Sequence, residues 1–176
     1  MEAEKLILDC TCSARSIWFN KNHPNVVYTD IRKEPKGFDP QRPNTEVCPD
    51  MLMDYRDLRF PDESFRLVVW DPPHLKDISN KSWFAKRYGS LNSETWQSDI
   101  RNGFLQCMRV LKPYGILIMK WSCAKEKTKR NVDLKDMLRV LPESPLVGHT
   151  TGSNSQTKWL TFMKIPEKKQ SELRTK

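Results

Sequence analysis

Four consecutive residues, Asp71-Pro72-Pro73-His74, carry the densest chemistry in the chain. They follow a largely apolar run, Phe65-Arg66-Leu67-Val68-Val69-Trp70, with the length and composition of a buried strand. The prolines lock the backbone and remove two N–H donors, so the strand tip presents a carboxylate and a bare carbonyl, with an imidazole just beyond. A carboxylate beside a carbonyl can accept both hydrogens of an NH2 group. An ordinary strand-to-loop stop also reads Asp-Pro-Pro, and the rest of the chain must separate the two readings.

Elements that could hold this tip in place recur along the sequence. Short apolar runs predict strands over residues 5–9 and 26–30, the second ending in Asp30. A weaker third strand is expected within 47–53, a fourth over 65–70 and a fifth over 116–120. Residues 16–21 read as a short helix, and 31–44 as a loop rich in proline, glycine and charge. Trp96, Ile100, Phe104, Leu105, Met108 and Leu111 recur at helical spacing, which predicts a helix over 94–111 capped by Asn92 or Ser93. A further helix is expected near 133–140, then strands over 146–149 and 159–164 about a polar turn. Strands alternating with helices and then closing in a hairpin indicate an α/β fold whose sheet is mostly parallel with an antiparallel edge.

At 176 residues and 38% apolar content, the chain has material for one core, and a single domain over 1–165 is expected with a charged, mobile tail over 166–176. The net charge of +8 favours an anionic partner, nucleic acid before membrane, since no continuous apolar span accompanies it. Met1-Glu2-Ala3-Glu4 has no basic-then-apolar leader, so a cytoplasmic setting is expected. Of five cysteines, Cys10 and Cys12 form Cys-x-Cys while the others are scattered, a spacing that suits reduced thiols rather than a metal site.

Taken together, these pieces resemble a class I S-adenosylmethionine-dependent methyltransferase, specifically the amino-methylating group with the motif Asp/Asn/Ser-Pro-Pro-aromatic. The resemblance spans roughly residues 5–164. It implies a Rossmann-like, mostly parallel seven-stranded sheet with an antiparallel C-terminal strand, and S-adenosyl-L-methionine as cofactor. The family's glycine-rich first turn is matched by Asp9-Cys10-Thr11-Cys12-Ser13-Ala14-Arg15, which contains no glycine. Small side chains permit close approach, yet none tolerates positive φ as glycine does, so this turn must follow another path or carry strain. The resemblance assigns Asp9, Cys10, Thr11, Cys12 and Ser13 to the cofactor. Arg15 is a candidate for its methionine carboxylate or a solvated arginine, Asp30 with Ile31 for the ribose, Asp54 with Tyr55 for the adenine, and Asp71 for the junction with the acceptor. A nicotinamide enzyme would need Gly-x-Gly-x-x-Gly to seat a pyrophosphate, and no such run exists.

The implied reaction is methyl transfer to an exocyclic amino group, adenine N6 in DNA or RNA foremost. The alternatives are a protein side-chain amide, a small amine, or a non-catalytic subunit. Asp71, the Pro72 carbonyl and His74 are the implied catalytic set, with His74 standing where the family has a stacking aromatic. Pro73, Lys76, Trp83, Lys120, Trp121, Ser153 and Lys158 are the further candidates for acceptor contact. The 75–92 insertion mixes Lys76, Lys81, Lys86 and Arg87 with Trp83, Phe84 and Tyr88, a composition suited to phosphates and stacked bases. A second basic loop carries Lys125, Lys127, Lys129 and Arg130. The small size leaves target recognition to a loose preference, a protein partner or a homodimer.

Overall fold

The computed structural model describes residues 5–122, 129–149 and 157–166. These form one seven-stranded sheet in the order β3-β2-β1-β4-β5-β7-β6. Strands β1 (Ile7–Asp9), β2 (Val26–Asp30), β3 (Met51–Leu52), β4 (Phe65–Trp70) and β5 (Leu111–Ser122) run parallel, and β7 (Thr157–Met163) is antiparallel to β5 and to β6 (Val147–His149). This is the Rossmann-like class I methyltransferase fold. β2 and β4 have the predicted bounds because both are β-branched or aromatic runs with buried faces. No helix among the described residues is long and apolar enough to cross a membrane.

Strand order reverses between β1 and β4, since the chain moves outward to β3 on one side and to β5 on the other. Their C-terminal ends open the crevice that such a switch point creates. The parallel register sets Asp9 beside Val69, and Cys10 N–H donates to the Val69 carbonyl at 3.1 Å. The first turn and the Asp-Pro-Pro-His tip therefore leave the sheet side by side.

Three helices complete the described chain: α1 (Trp83–Tyr88), α2 (Trp96–Val110) and α3 (Leu134–Val140). The α2 residues Ile100, Phe104 and Cys107 are wholly buried in the core with Leu117, Met119 and Trp121 of β5. Each large apolar side chain so buried stabilises the fold by about 1.5–3 kcal/mol. Asn92 does not cap α2 itself. Its side chain accepts the Glu94 N–H at 2.7 Å and its carbonyl the Trp96 N–H, starting a turn that delivers the chain to Thr95 and then α2.

Several expectations are corrected. Residues 16–21 form isolated turns and a bend rather than a helix. Ser13 and Arg15 both adopt left-handed φ, 45° and 52°, and the Trp18 indole is tied back to Asp9, so no helical turn can propagate. The glycine-free first turn thus carries its strain on two L-residues. Val47 makes only an isolated bridge to Glu34, leaving β3 as two residues. β5 begins five residues early, at Leu111, because Tyr114 at φ 62° and a register shift opposite Phe65–Leu67 carry the Pro113 segment along as an irregularity. The insertion holds a helix, α1, capped by the Ser82 side chain. The 150–155 turn, Lys125, Lys127 and all of the tail but Pro166 lie outside the described residues.

Candidate active site

Asp71 leaves β4 with its N–H donating to Thr11 Oγ1 at 2.7 Å, which locks the strand tip to the first turn. Lys120, near the end of adjacent β5, donates to Asp71 Oδ2 at 2.5 Å and sits 6.0 Å from the Trp159 ring centre. No donor among the described residues takes Asp71 Oδ1 or the Pro72 carbonyl. Asp71 and Pro72 both line a recess of about 90 Å3 that also has Thr11, His74, Arg87, Lys120 and Ser122 in its wall. The arrangement offers an amine two acceptors, with a cation behind one of them.

A larger cavity, about 310 Å3, adjoins this recess, and Thr11, Arg32, Asp71 and Tyr88 border both. Cys10, Asp30, Ile31, Asp54 and Tyr55 line it from the sheet side. Ala85, Lys86, Gly89 and Leu91 close it from the insertion. The cover is tied down at four places: Arg32 Nη1 donates to the Lys86 carbonyl, Ser13 Oγ donates to the Arg87 carbonyl, Arg87 Nη1 lies 3.2 Å from the fully buried Asp39 carboxylate, and Lys86 Nζ lies 3.9 Å from Glu34 Oε2. Gly89, at φ 74°, brings the end of the cover against the tip, since a Cβ there would stand 2.7 Å from Pro73 Cγ.

Both acids expected at this cavity are already engaged by an arginine two residues on. Asp30 accepts from Ser13 N, Arg32 N, Arg32 Nε and Arg32 Nη2 at 2.9–3.1 Å. Asp54 is gripped by Arg56, which also reaches Asp99 at 3.0 Å. Burial works against ionising Asp54, but the Arg56 contacts outweigh it and hold the carboxyl below its usual range. Tyr55 packs 5.5 Å from Trp70, and Gly103 of α2 leaves room for both rings.

Burial sets the protonation of the inner groups. Asp9 is pushed up to about 7 by burial, opposed by the N–H donors of Trp18 and Thr11 and aided by the negative charges of Asp71 and Asp30. His74 is pushed down to about 4 by burial and then by the Lys120 charge, so it is a neutral imidazole near pH 7. Burial also raises Asp71, while Lys120 and Arg32 counteract it.

The fold therefore brings together Cys10, Thr11, Asp30, Ile31, Asp54, Tyr55, Asp71, Pro72, Pro73, His74 and Lys120, with Ser13 on the recess. Other expected contacts go elsewhere. Asp9 and Cys12 are buried behind the turn, where Asp9 accepts from Trp18 Nε1 at 2.7 Å. Arg15 stacks over Tyr28 and binds Asp50 and the Cys48 carbonyl, facing a separate cleft. Trp121 is core, its indole donating to the Val132 carbonyl. Lys158 lies across from Trp121 on β7, Trp83 packs on Phe84, and neither lines the two cavities. Lys76 joins a short ladder in which its N–H meets the Arg130 carbonyl and Val132 N–H meets the His74 carbonyl. Ser153 lies outside the described residues. Sequence reasoning missed Arg32, Arg56 and Asp99 as cavity residues; the repeated Asp-x-Arg of Asp30-Ile31-Arg32 and Asp54-Tyr55-Arg56 was the available signal.

Solved structures share this fold at low sequence identity. The PH0226 protein from Pyrococcus horikoshii OT3 superposes with TM-score 0.57 at 14% identity, over 93% of this chain and 83% of that one. The N-methyltransferase NodS from Bradyrhizobium japonicum WM9 gives 0.56 at 12%, over 94% and 88%. The 4+2 cyclase SpnF gives 0.54 at 12%, over 94% and 76%. No protein-family model matches the chain, and no curated protein matches it in sequence. Such likeness fixes the fold, and the presence of a cyclase among these structures means that the reaction must be argued from the site.

Proposed function

We propose that this chain transfers a methyl group from S-adenosyl-L-methionine to an amino group seated between Asp71 and the Pro72 carbonyl. The observation that carries this reading is a pair of acceptors, Asp71 Oδ1 and Pro72 O, that no donor among the described residues takes, on residues lining a recess beside a larger cavity that Asp71 also borders. The cavity's residues fit the cofactor. Acids at Asp30 and Asp54 suit ribose hydroxyls and an adenine amine, Ile31 and Tyr55 offer apolar faces to the base, and a phosphate-free nucleoside needs no glycine-rich loop.

When bound, the cofactor supplies an electrophilic methyl group on a sulfonium sulfur. Asp71 and the Pro72 carbonyl accept the two amine hydrogens, weaken conjugation of the nitrogen with its ring or carbonyl, and direct the lone pair. A base is not needed before attack, because the product ammonium is acidic and sheds its proton afterwards. Neutral His74 presents a flat face and one N–H donor. Lys120 opposes the burial that raises the Asp71 carboxyl and donates to its Oδ2.

For the acceptor, a small amine or a protein side-chain amide fits best. The recess holds about 90 Å3, the smaller of the two adjoining spaces, which suits an amine with few carrying atoms. A name such as N-methyltransferase NodS among proteins of the same fold agrees with that class. A second reading, adenine N6 in DNA or RNA, is favoured by one feature. The 74–76 and 130–132 segments pair with each other, so Lys76 stands next to exposed Lys129 and Arg130 beside His74.

Methyl-labelled S-adenosylmethionine incubated with single- and double-stranded DNA and RNA, with a peptide mixture and with a panel of small amines tests both readings. Label on an amino nitrogen of an amine or peptide supports the first, and N6-methyladenosine or its deoxy form supports the second. Cofactor binding without transfer to any acceptor counts against catalysis and favours a methyltransferase-like subunit.

A further inference from the structure

A carboxylate offers about four lone-pair positions to hydrogen-bond donors. At Asp30 all of them are taken: Ser13 N and Arg32 Nη2 at Oδ2, Arg32 N and Arg32 Nε at Oδ1. The side chain is 2% exposed, so no further face is available to a ligand. Two of the four donors are backbone amides fixed by the turn and by the end of β2. The other two belong to the Arg32 guanidinium, the part of this set free to leave. Its third nitrogen, Nη1, holds the Lys86 carbonyl at 2.9 Å in α1, across 54 residues of chain. The same side chain forms part of the wall of both cavities.

We propose that Arg32 is a gate residue: the cofactor's ribose hydroxyls and the Arg32 guanidinium compete for Asp30, and the guanidinium's departure unfastens α1 from the end of β2. The inference rests on the reading of Asp30 as the ribose acceptor. Ribose binding takes the two positions that Arg32 vacates, so Asp30 remains fully hydrogen-bonded throughout. Release of the Lys86 carbonyl leaves the cover held by the Ser13–Arg87 contact, the Arg87–Asp39 ion pair and the longer Lys86–Glu34 ion pair. Because Arg32 borders the acceptor recess as well, the cofactor reshapes the recess by displacing it. Arg32 acts through Asp30 and α1 and is a positioning residue.

Arginine-labelled full-length protein gives a direct readout in the Nε–H cross-peak of Arg32, assigned by its disappearance in Arg32→Lys. Saturation with S-adenosylhomocysteine, which carries the same ribose and cannot react, is expected to shift that peak and to speed its exchange with water at least ten-fold. Calorimetry on Arg32→Met, which keeps bulk and removes every donor, is expected to show at least five-fold tighter binding of the same ligand. An unchanged cross-peak in saturated protein overturns the gate, as does equal or weaker binding by Arg32→Met. If that variant does not fold, the wild-type cross-peak decides alone. If S-adenosylhomocysteine does not bind the wild type, the cofactor reading itself fails and the gate falls with it.

Discussion

At the scale of single residues, this site is defined by what is left unbonded. Among the described residues, Asp71 has one oxygen on Lys120 and one without a donor, and Pro72, followed by a proline, contributes a carbonyl that no donor takes. Asp71→Asn would turn an acceptor pair into a mixed donor and acceptor. It should lower methyl transfer by about 10²-fold or more while leaving the calorimetric affinity for S-adenosylhomocysteine within a few-fold. Loss of affinity with intact turnover would reverse the assignment. Two inner groups also make a pH prediction. Asp9, raised to about 7, keeps its proton in the folded state while the unfolded chain releases it near 4, so its contribution to stability falls as pH rises between them. His74, lowered to about 4, stays neutral when folded while the unfolded chain protonates near 6.5, so its contribution rises with pH over that window. The two slopes, each about 1.4 kcal/mol per pH unit, oppose one another from about pH 4 to 6.5. Urea unfolding across that range should show His74→Phe losing stability with rising pH more steeply than the wild type, and Asp9→Asn doing the reverse. Parallel curves for all three proteins would contradict both protonation states.

Elements meet at the cavity through close approaches that tolerate little change. Gly103 of α2 faces Tyr55 and Trp70, where a Cβ would come within 2.5 and 2.7 Å of their rings. Gly103→Ala should cost about 1–3 kcal/mol of unfolding free energy through overpacking. It should also weaken cofactor binding, because Tyr55 is the ring that must move. Denaturant melts with calorimetry would detect both, and an unchanged affinity would separate Tyr55 from the cofactor. The cover formed by α1 depends on a different device, the Arg87–Asp39 pair, with side chains 10% and 0% exposed. Asp39→Asn leaves a buried guanidinium without its charge partner and should destabilise by about 3–5 kcal/mol. Faster amide exchange in 83–88 than in α2 would mark the loss as local to the cover.

Across the whole molecule, the +8 charge is distributed unevenly with respect to pairing. Arg15, Arg32, Arg56, Arg87, Arg109 and Lys120 are matched to carboxylates, whereas Lys129 and Arg130 are exposed on the segment that pairs with His74 and Lys76. If nucleic acid is the acceptor, removing two phosphate contacts by Lys76→Gln with Arg130→Gln should make the salt dependence of single-strand binding shallower by about 1.4 in log K per log salt. Lys33→Gln with Lys36→Gln, exposed on the 31–44 loop, should leave that slope nearly unchanged. Equal effects of the two pairs would assign the charge to general solvation and favour the small-amine reading.

The sequence by itself determined most of the strands, the acids at the tips of β2 and β4 and the Asp-Pro-Pro-His turn, because runs of apolar residues and proline stereochemistry are local properties. β2 and β4 and the placement of Asp30 and Asp71 were legible for that reason. The tertiary structure decided what those acids touch. Asp9 became a buried acceptor for Trp18, Arg15 turned to Asp50, and the insertion became a cavity wall, since each depends on which surface another segment leaves open. The absence of glycine in the first turn was visible as a conflict, but its resolution through left-handed Ser13 and Arg15 was not. That strain persists because Asp30 accepts the Ser13 amide and Arg15 is anchored by Tyr28, Cys48 and Asp50, partners 13 to 35 residues away. Chemistry at a strand tip is written in short spacings, whereas the bonding state of each tip is set by contacts between segments that only the packed sheet brings within reach.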